Sequence, residues 1–501
     1  MAFAGVFLIT LGYDEAWILS GIQDILQPRA LDVTVVPVLT SGGFFALGQL
    51  LVTALFGAEL WPQRLFCFAS MAAVVAIVWR WGMIYFGDMR SGALVVSALV
   101  ATPGMAVLGS TAYATVPAFL LVLVSVAVFF GNFGSRALRI TGTAALVGLA
   151  SATRFECVLL LPALCLYAWF SQSEQKRRNV IDAVVASLLA VPVSAAFVTL
   201  YWLAGPQQIE HGVAQATGLA IDYVDYTGLL NKWVISEAFL PLPMLVLATV
   251  LAFYFHRQQI NGGHAKWLCP WILLAPFGWF VWALWYLYAP IAHLRYVWPG
   301  LASFMVLLGF GIAGLYAWGR RNEAPGARIA ALLLALSCVV AAIGATGRNL
   351  VLGNGDILSW EWAGDAPRAY FTRFRHIGYQ RQAARYLRET TQPGERVLAL
   401  GIGRSLGYLA QRDVLEIGQY TRRVRWDPAR VPRRMVLEPV VGNFVYFSDE
   451  ARRWIVDNTE LEAQFGPYAF YRLTGSYPDD PTMLKGTTRI YTGHPHAQSY
   501  R

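Results

Sequence analysis

The sequence predicts a multi-spanning α-helical membrane protein with a small α/β domain at its C-terminal end. The chain is 56% hydrophobic and 14% charged, whereas about a quarter of the residues of a soluble domain are charged. The charges gather in residues 346–501, which hold 22 of the 39 Lys and Arg residues and 16 of the 30 acidic residues. We therefore expect a transmembrane domain over 1–346 and an extracytoplasmic α/β domain over 347–501.

The transmembrane domain is expected to contain about 11–13 helices of the length that a bilayer requires. The candidate spans are 42–57, 65–86, 92–108, 113–131, 180–204, 241–255, 268–289, 297–318 and 329–346, with a divided pair at 140–170. Residues 1–12 are also apolar, but twelve helical residues reach only about 18 Å across a core of about 30 Å. Either the true start lies upstream, or this helix is unusually short.

Basic residues in short connections predict the orientation, because cytoplasmic loops are enriched in Lys and Arg. Three such loops contain Lys176, Arg177 and Arg178, then Arg257 and Lys266, then Arg320, Arg321 and Arg328. Residues 13–41 and 205–240 then become outer loops, and the C-terminal domain lies outside the cytoplasm. We expect a multi-pass protein of the plasma (inner) membrane in contact with membrane lipids. No run of basic residues interleaved with aromatic residues suggests nucleic acid as a partner.

Two adjacent carboxylates, Asp14 and Glu15, follow the first apolar segment. They head a stripe of Ile and Leu residues that predicts a helix lying in the membrane interface. A carboxylate shielded by lipid can have its pKa raised, so that it serves as a base toward an attacking hydroxyl. Alternatively, Asp14 is the N-cap of this helix.

Arg154 and Glu156 divide the apolar stretch 140–170 into two halves that are too short to cross a bilayer. If both ends of the pair are cytoplasmic, the charged tip stops within the membrane thickness. A charge at that depth needs a partner or a watery cavity, and it marks a candidate functional site. The alternative is a mutual salt bridge that closes the hairpin.

A short connection between two aromatic-rich spans contains His293, Arg295 and Tyr296. Arginine suits a phosphate group because its planar fork donates two parallel hydrogen bonds. A snorkelling arginine at the interface is the alternative. His293, together with Asp222 and Asp225 of the second outer loop, forms a possible acceptor or donor loop.

Residues 347–501 read as alternating helices and strands. Tyr379, Ala383 and Leu387 share one helical face, and 396–400 and 414–417 are short strands. A second helix-like stretch leads to 414–417, and 451–458 is again helical. The segment GIGRSLG at 401–407 has glycines near the spacing of a dinucleotide loop, but the third is one residue late. We interpret it as a tight turn.

Taken together, these residues resemble the GT-C glycosyltransferases that use polyprenyl-phosphate sugars. That group includes the protein O-mannosyltransferases, the lipid A aminoarabinose transferase and the mycobacterial arabinofuranosyltransferases. The acidic pair in YDEAW, the hairpin GLASATRFE, the junction RYVWP and the PGERVLALG and VLEIG strands carry the resemblance, in that order.

The resemblance implies an inverting single displacement from a polyprenyl-phosphate-linked sugar to a glycan, lipid or protein acceptor. Asp14 would be the base, Glu15 would assist it or bind a divalent metal, and Arg154, Arg295 and Tyr296 would bind the donor phosphate. Two features of some members are missing: an acidic residue near Tyr113, and a lysine after the first outer loop. Metal dependence and donor identity therefore stay open.

Two other classes of function fit a polytopic chain. In a transporter or lipid-carrier flippase, the arginines would guide an anion, but no paired half-repeat is evident. In an assembly protein, the outer domain would be the binding module.

Overall fold

A computed structural model gives the structure of the chain. The residues that it describes are 15, 19, 22, 35–57, 59–102, 104–131, 134–170, 176–203, 242–261, 269–288, 294–352, 367–399, 404–416, 432–437, 444–446, 449–466, 468–478, 484 and 487–489. The predicted outer loop 205–240 lies outside them.

The chain divides into two compact units. One comprises Met1–Phe3 and Asp24–Gly347, and the other comprises Ala4–Gln23 and Arg348–Arg501. The short N-terminal stretch that contains the acidic pair therefore clusters with the C-terminal part of the chain.

Helices make up the described part of the first unit. They are α1 (Val35–Phe56), α2 (Leu60–Phe86), α3 (Met89–Val100), α4 (Met105–Leu108), α5 (Thr115–Phe130), α6 (Arg136–Thr153), α7 (Leu160–Phe170), α8 (Lys176–Leu203), α9 (Leu242–Asn261), α10 (Leu274–Tyr288), α11 (Leu294–Arg321) and α12 (Pro325–Leu352). Short 3-10 turns at Phe155–Leu159 and Pro270–Leu273 precede α7 and α10.

These helices have the surface of a membrane protein. Within the described residues, Leu60–Phe86, Arg177–Ala196, Val297–Arg321 and Pro325–Gly344 are long and apolar enough to cross a bilayer. Large apolar side chains such as Leu51, Leu188 and Leu332 are exposed on the bundle, where a soluble protein would place polar groups. The predicted multi-spanning helical fold is confirmed.

The predicted single span 92–108 is wrong, because the structure has two helices there. α3 ends at Val100 and α4 begins at Met105. Pro103 stands between them in the sequence, and a proline disfavours helical conformation in the residue before it. Gly104 has φ +75°, a conformation that favours glycine.

The predicted divided pair at 140–170 is a helical hairpin. Arg136 at the start of α6 pairs with Asp182 near the start of α8, and Gly148 later in α6 packs against Val193 later in α8. α6 and α8 therefore run parallel. α7 lies between them in sequence and returns the chain through the short connection before α8. Its 3-10 turn at Phe155–Leu159 forms the tip.

The basic connections of the first unit gather at one end of the bundle. A continuous set of contacts joins them: Arg320–Asp88 (3.6 Å), Tyr85–His256 (2.6 Å), Tyr85–Trp271 (5.4 Å between ring centroids), Tyr167–Cys269 (2.9 Å), Phe130–Tyr167 (5.3 Å between centroids) and Arg139–Phe129 (3.4 Å). α6 leads away from this end, so the hairpin tip lies toward the opposite one.

The second unit contains a small α/β fold. Its described elements are α13 (Pro367–Thr390), β1 (Arg396–Ala399), α14 (Arg404–Ala410), β2 (Asp413–Glu416), β3 (Arg434–Leu437), β4 (Phe444–Tyr446), α15 (Asp449–Asn458), β5 (Thr459–Phe465), β6 (Tyr468–Leu473) and β7 (Thr487–Arg489). The main sheet has the order β2-β1-β3-β6-β5, and β4 pairs with β7. The predicted face of α13 packs on the sheet, with Ala383 and Leu387 buried against Val397 and Phe470.

The interpretation of 401–407 as a tight turn is wrong from Arg404 onward, where α14 begins. β1 and β2 pair in parallel, and parallel neighbours need a crossover connection that a tight turn cannot provide. Gly407 lies in this crossover helix, where a Cβ atom would come 3.2 Å from the Cβ of Val414 on β2. This glycine lets the helix lie close to the strand.

We predict that Gly309→Ala in α11 destabilises the bundle. A Cβ atom there would overlap the carbonyl oxygen of Val95 in α3 and lie 2.8 Å from its Cα atom, and backbone cannot move aside cheaply. Overpacking of this kind costs about 1–3 kcal/mol. The unfolding temperature of the purified protein in detergent should fall. The matched control is Gly344→Ala in α12, where nothing lies within 4 Å. An equal effect of both changes would contradict the close approach of α3 and α11.

Candidate functional site

Glu15 is fully buried and helical, and Asp14 lies outside the described residues. Leu19 and Ile22 are also buried and helical. The spacing of four and three residues places all three on one helical face. Glu15 therefore lies on the apolar face of its helix, and Asp14 is its immediate neighbour in the sequence.

Arg154 and Glu156 form a buried ion pair at the tip of the α6–α7 hairpin. The Nε and Nη2 atoms of Arg154 donate to Oε1 of Glu156 at 2.8 and 2.5 Å. The two side chains are 14% and 3% exposed. The salt bridge considered as an alternative from the sequence is thus present. This salt bridge is compatible with a functional role, because a buried ion pair holds both charges in fixed directions.

The local backbone places this pair. Arg154 ends α6 in an extended conformation (φ −147°, ψ 113°), and the 3-10 turn that follows brings Glu156 back toward it. The second carboxylate oxygen of Glu156, Oε2, is buried and has no hydrogen-bond partner among the described residues. A buried acceptor without a donor is costly, so this oxygen is a place where a hydroxyl or amide of a ligand would be favourable.

The tip fits into a break in α1. Gly43 interrupts that helix with φ +39°, and a Cβ atom there would lie 2.8 Å from the backbone of Ala152 and Thr153. The next residue, Phe44, donates its N–H to Oγ1 of Thr153 at 2.9 Å. Glycine at 43 therefore permits both the break and the close approach of the tip.

The start of α11, which carries Arg295 and Tyr296, lies at the same end of the bundle as the tip. Trp298 meets the ring of Phe119 near the start of α5. Two residues before that helix, the carbonyl oxygen of Tyr113 accepts a hydrogen bond from Cys67 of α2, and the helical glycine Gly48 of α1 abuts Phe66. The 3-10 turn of the tip also packs against α5 and α10.

The structure describes only the backbone of Arg295 and Tyr296, within α11. His293, Asp222 and Asp225 lie outside the described residues. The roles assigned to these five residues, and to Asp14, stay predictions.

Comparisons with known proteins agree with this architecture. Residues 44–202 match the family described as dolichyl-phosphate-mannose-protein mannosyltransferase. ArnT from Cupriavidus metallidurans bound to undecaprenyl phosphate has a similar structure, with 13% identity, a TM-score of 0.60 and 97% of each chain covered. The family match and the similar fold point to a glycosyltransferase of the GT-C type. ArnT in the apo state gives 14% identity, a TM-score of 0.58 and the same coverage.

A more distant structure is the oligosaccharyltransferase AglB from Archaeoglobus fulgidus in complex with an inhibitory peptide and a dolichol-phosphate. It shows 12% identity, a TM-score of 0.49, and coverage of 86% of this chain and 66% of its own. No curated protein sequence matches the chain.

The sequence reasoning missed a buried arginine of the glycosyltransferase. Arg64 in α2 is 1% exposed, and it lies in the same part of that helix as Cys67. The expected span began at 65, so Arg64 read as a flanking residue. Counting it inside the apolar segment would have marked it as an intramembrane charge.

A polar network beside Arg64 was also missed. Gln49 of α1 donates to the carbonyl oxygen of Gln63 at 3.0 Å, and Gln63 donates to Oγ1 of Thr53 at 2.7 Å. The Oε1 atoms of both glutamines are buried without a hydrogen-bond partner among the described residues. Polar groups at this end of the bundle thus extend beyond the Arg154–Glu156 pair.

The described residues contain no group of three or more His, Cys, Asp or Glu side chains placed to hold a metal ion. The predicted metal-binding role of Glu15 involves neighbours outside those residues, so it stays a prediction.

We predict that removing one charge of the pair destabilises the glycosyltransferase more than removing both. Glu156→Met removes from Arg154 the carboxylate that pairs with it at 2.5 Å, and Arg154→Met removes from Glu156 that guanidinium. Each should cost about 3–5 kcal/mol, while the double change should cost less because no charge is left buried alone. The measurement is a double-mutant cycle on thermal unfolding in detergent. Strictly additive effects would show that the two charges do not interact.

Proposed function

We propose that this glycosyltransferase moves a sugar from a polyprenyl-phosphate donor to an extracytoplasmic acceptor by an inverting single displacement. The family matched over 44–202 is described by a lipid-phosphate sugar donor, and ArnT, whose fold is similar over 97% of the chain, binds undecaprenyl phosphate. We therefore propose that this chain, too, uses a polyprenyl-phosphate donor.

The observation that carries the proposal is the charged tip inside an apolar bundle. Arg154 and Glu156 are buried where two short helices meet, at the end of the bundle where α11 places Arg295. A lipid-linked phosphate needs cations close to the apolar region, because its polyprenyl chain holds it at the boundary of that region. Neither a snorkelling arginine nor a surface salt bridge explains a guanidinium buried at such a tip.

The proposed reaction assigns one step to each group. Asp14 accepts the proton of the acceptor hydroxyl as its oxygen bonds to the anomeric carbon, and Glu15 assists from the neighbouring position. The bond between that carbon and the phosphate oxygen breaks, and the electron pair leaves with the lipid phosphate. Arg154, Arg295 and Tyr296 stabilise the charge that grows on the phosphate, as preorganised donors do.

The acceptor is a glycan, a lipid or a protein that reaches the site from outside the cytoplasm. The outer loops 13–41 and 205–240 would guide it, with His293, Asp222 and Asp225 as polar contacts. Residues 347–501 would form the extracytoplasmic domain, and 1–346 the membrane domain.

We also propose the orientation of the chain in the plasma (inner) membrane. Basic residues of the first unit gather at one end of the bundle, including Arg136, Arg139, Arg257 and Arg320. Positively charged ends of membrane helices favour the cytoplasm. The opposite end, with the hairpin tip, would then open to the extracytoplasmic side.

We predict that Asp14→Asn abolishes sugar transfer without unfolding the protein. An amide has almost the shape of the carboxylate but cannot accept the hydroxyl proton, and loss of a general base typically lowers the rate by about 10²–10⁴-fold. The measurement is release of polyprenyl phosphate by the reconstituted protein, with the unfolding temperature measured in parallel.

The matched control for this test is Asp457→Asn, an exposed aspartate of α15 to which no role in sugar transfer is assigned. It should transfer sugar at the normal rate. Full transfer by the Asp14→Asn protein would overturn the assignment of the base. Movement of the donor lipid across the bilayer without transfer, in both variants, would favour the flippase.

We predict that a reporter fused after Arg501 faces away from the cytoplasm. Alkaline phosphatase becomes active only outside the cytoplasm, and green fluorescent protein exported in unfolded form stays dark there. The C-terminal fusion should therefore give phosphatase activity and no fluorescence. A fusion at 322–324, between α11 and α12 at the basic end, is the control and should show the reverse. The same pattern at both sites would refute the orientation.

A further inference from the structure

An arginine-rich groove lies in the second unit, and none of its lining residues is assigned to sugar transfer. Its volume is about 530 Å³, and its lining includes Arg396, Arg433, Arg434, Arg472 and Glu395. None of the described residues that line it is aromatic, whereas nucleic-acid sites commonly use aromatic stacking.

The sheet order brings these arginines together. β1, β3 and β6 are neighbours in the sheet. Arg396 and Arg434 are the first residues of β1 and β3, and Arg472 is the residue of β6 that pairs with Arg434. Three adjacent strands therefore present a guanidinium group at the same edge.

The arrangement leaves positive charge in excess. Arg434 and Arg472 stand directly opposite each other on antiparallel strands, a position where like charges are destabilising. One carboxylate serves both, because Glu462 accepts from Arg434 at 2.9 Å and from Arg472 at 2.5 Å. The ion pairs Arg434–Glu395 and Arg396–Asp413 are both longer, at 3.6 Å.

Arg433 supplies the surplus cation. It is exposed at the groove, next to the start of β3. Within the part of the chain that the structure describes, its side chain forms no ion pair. Four guanidinium groups and one carboxylate, that of Glu395, thus line the groove, and Arg433 lies at its open surface.

We propose that this groove binds a phosphate group, carried by a lipid headgroup or by a soluble phosphorylated compound. Guanidinium groups recognise phosphate through parallel N–H donors and keep their charge at every physiological pH. The Glu462 bridge holds Arg434 and Arg472 in place, so a ligand meets donors that are already ordered. None of its lining residues has a role in the proposed sugar transfer.

The test compares Arg433→Gln with Arg385→Gln in the full-length protein. Arg433 has no ion pair to lose, so its replacement should leave the fold intact. Arg385 is an exposed arginine on α13 that does not line the groove, which makes it the matched control. Both variants are reconstituted in phosphatidylcholine nanodiscs and titrated with inorganic pyrophosphate by calorimetry.

Loss of one charge-assisted contact should weaken pyrophosphate binding at least about tenfold in Arg433→Gln and leave Arg385→Gln unchanged. This result supports the proposal with a soluble phosphate as the source. A second arm measures hydrogen exchange at 392–399 and 432–437 in nanodiscs with and without phosphatidylglycerol.

Slower exchange with phosphatidylglycerol that is lost in Arg433→Gln supports the proposal with a lipid headgroup as the source. Equal behaviour of the parent and both variants in the two arms overturns it. Equal weakening in both variants also overturns it, because a general effect of net charge would then explain the binding.

Discussion

The cost of burying charge in an apolar bundle is the constraint on which the rest of this structure depends. An isolated guanidinium in the hydrocarbon region is costly, and the chain meets that cost with a carboxylate two residues away. Arg154 and Glu156 can pair only because α6 ends at Thr153 and a 3-10 turn follows. The ion pair and the short helices on either side of it therefore depend on each other, because both helices end at the position of the two charges.

Most of the helical fold could be predicted because the bilayer sets the length and polarity of each span. The failures have local and non-local causes. The break between Val100 and Met105 depends on one proline and one glycine within an apolar run, which an average over hydropathy does not register. The start of the helix at Arg404 depends on β1 and β2 being parallel neighbours, and strand pairing is not written in the thirteen residues between them.

The candidate site was predictable only in part, for a related reason. Sequence identifies which charges stand inside apolar segments, and Arg154 and Glu156 were found that way. It does not say where a helix begins relative to its apolar run, so Arg64 read as a flank although it is buried. The packing of the hairpin tip against the break in α1 could not be predicted either, because the contact between Gly43 and Thr153 joins positions more than a hundred residues apart.

The pairing of Arg154 limits what that residue can do in the proposed reaction. Its contact with Glu156 offsets part of its positive charge. In the proposed reaction, Arg295 acts beside it on the charge that grows on the departing phosphate. One oxygen of Glu156 orients Arg154, while the other faces no donor among the described residues. In the proposed site, the ion pair gives Arg154 its orientation and Arg295 adds a second positive charge.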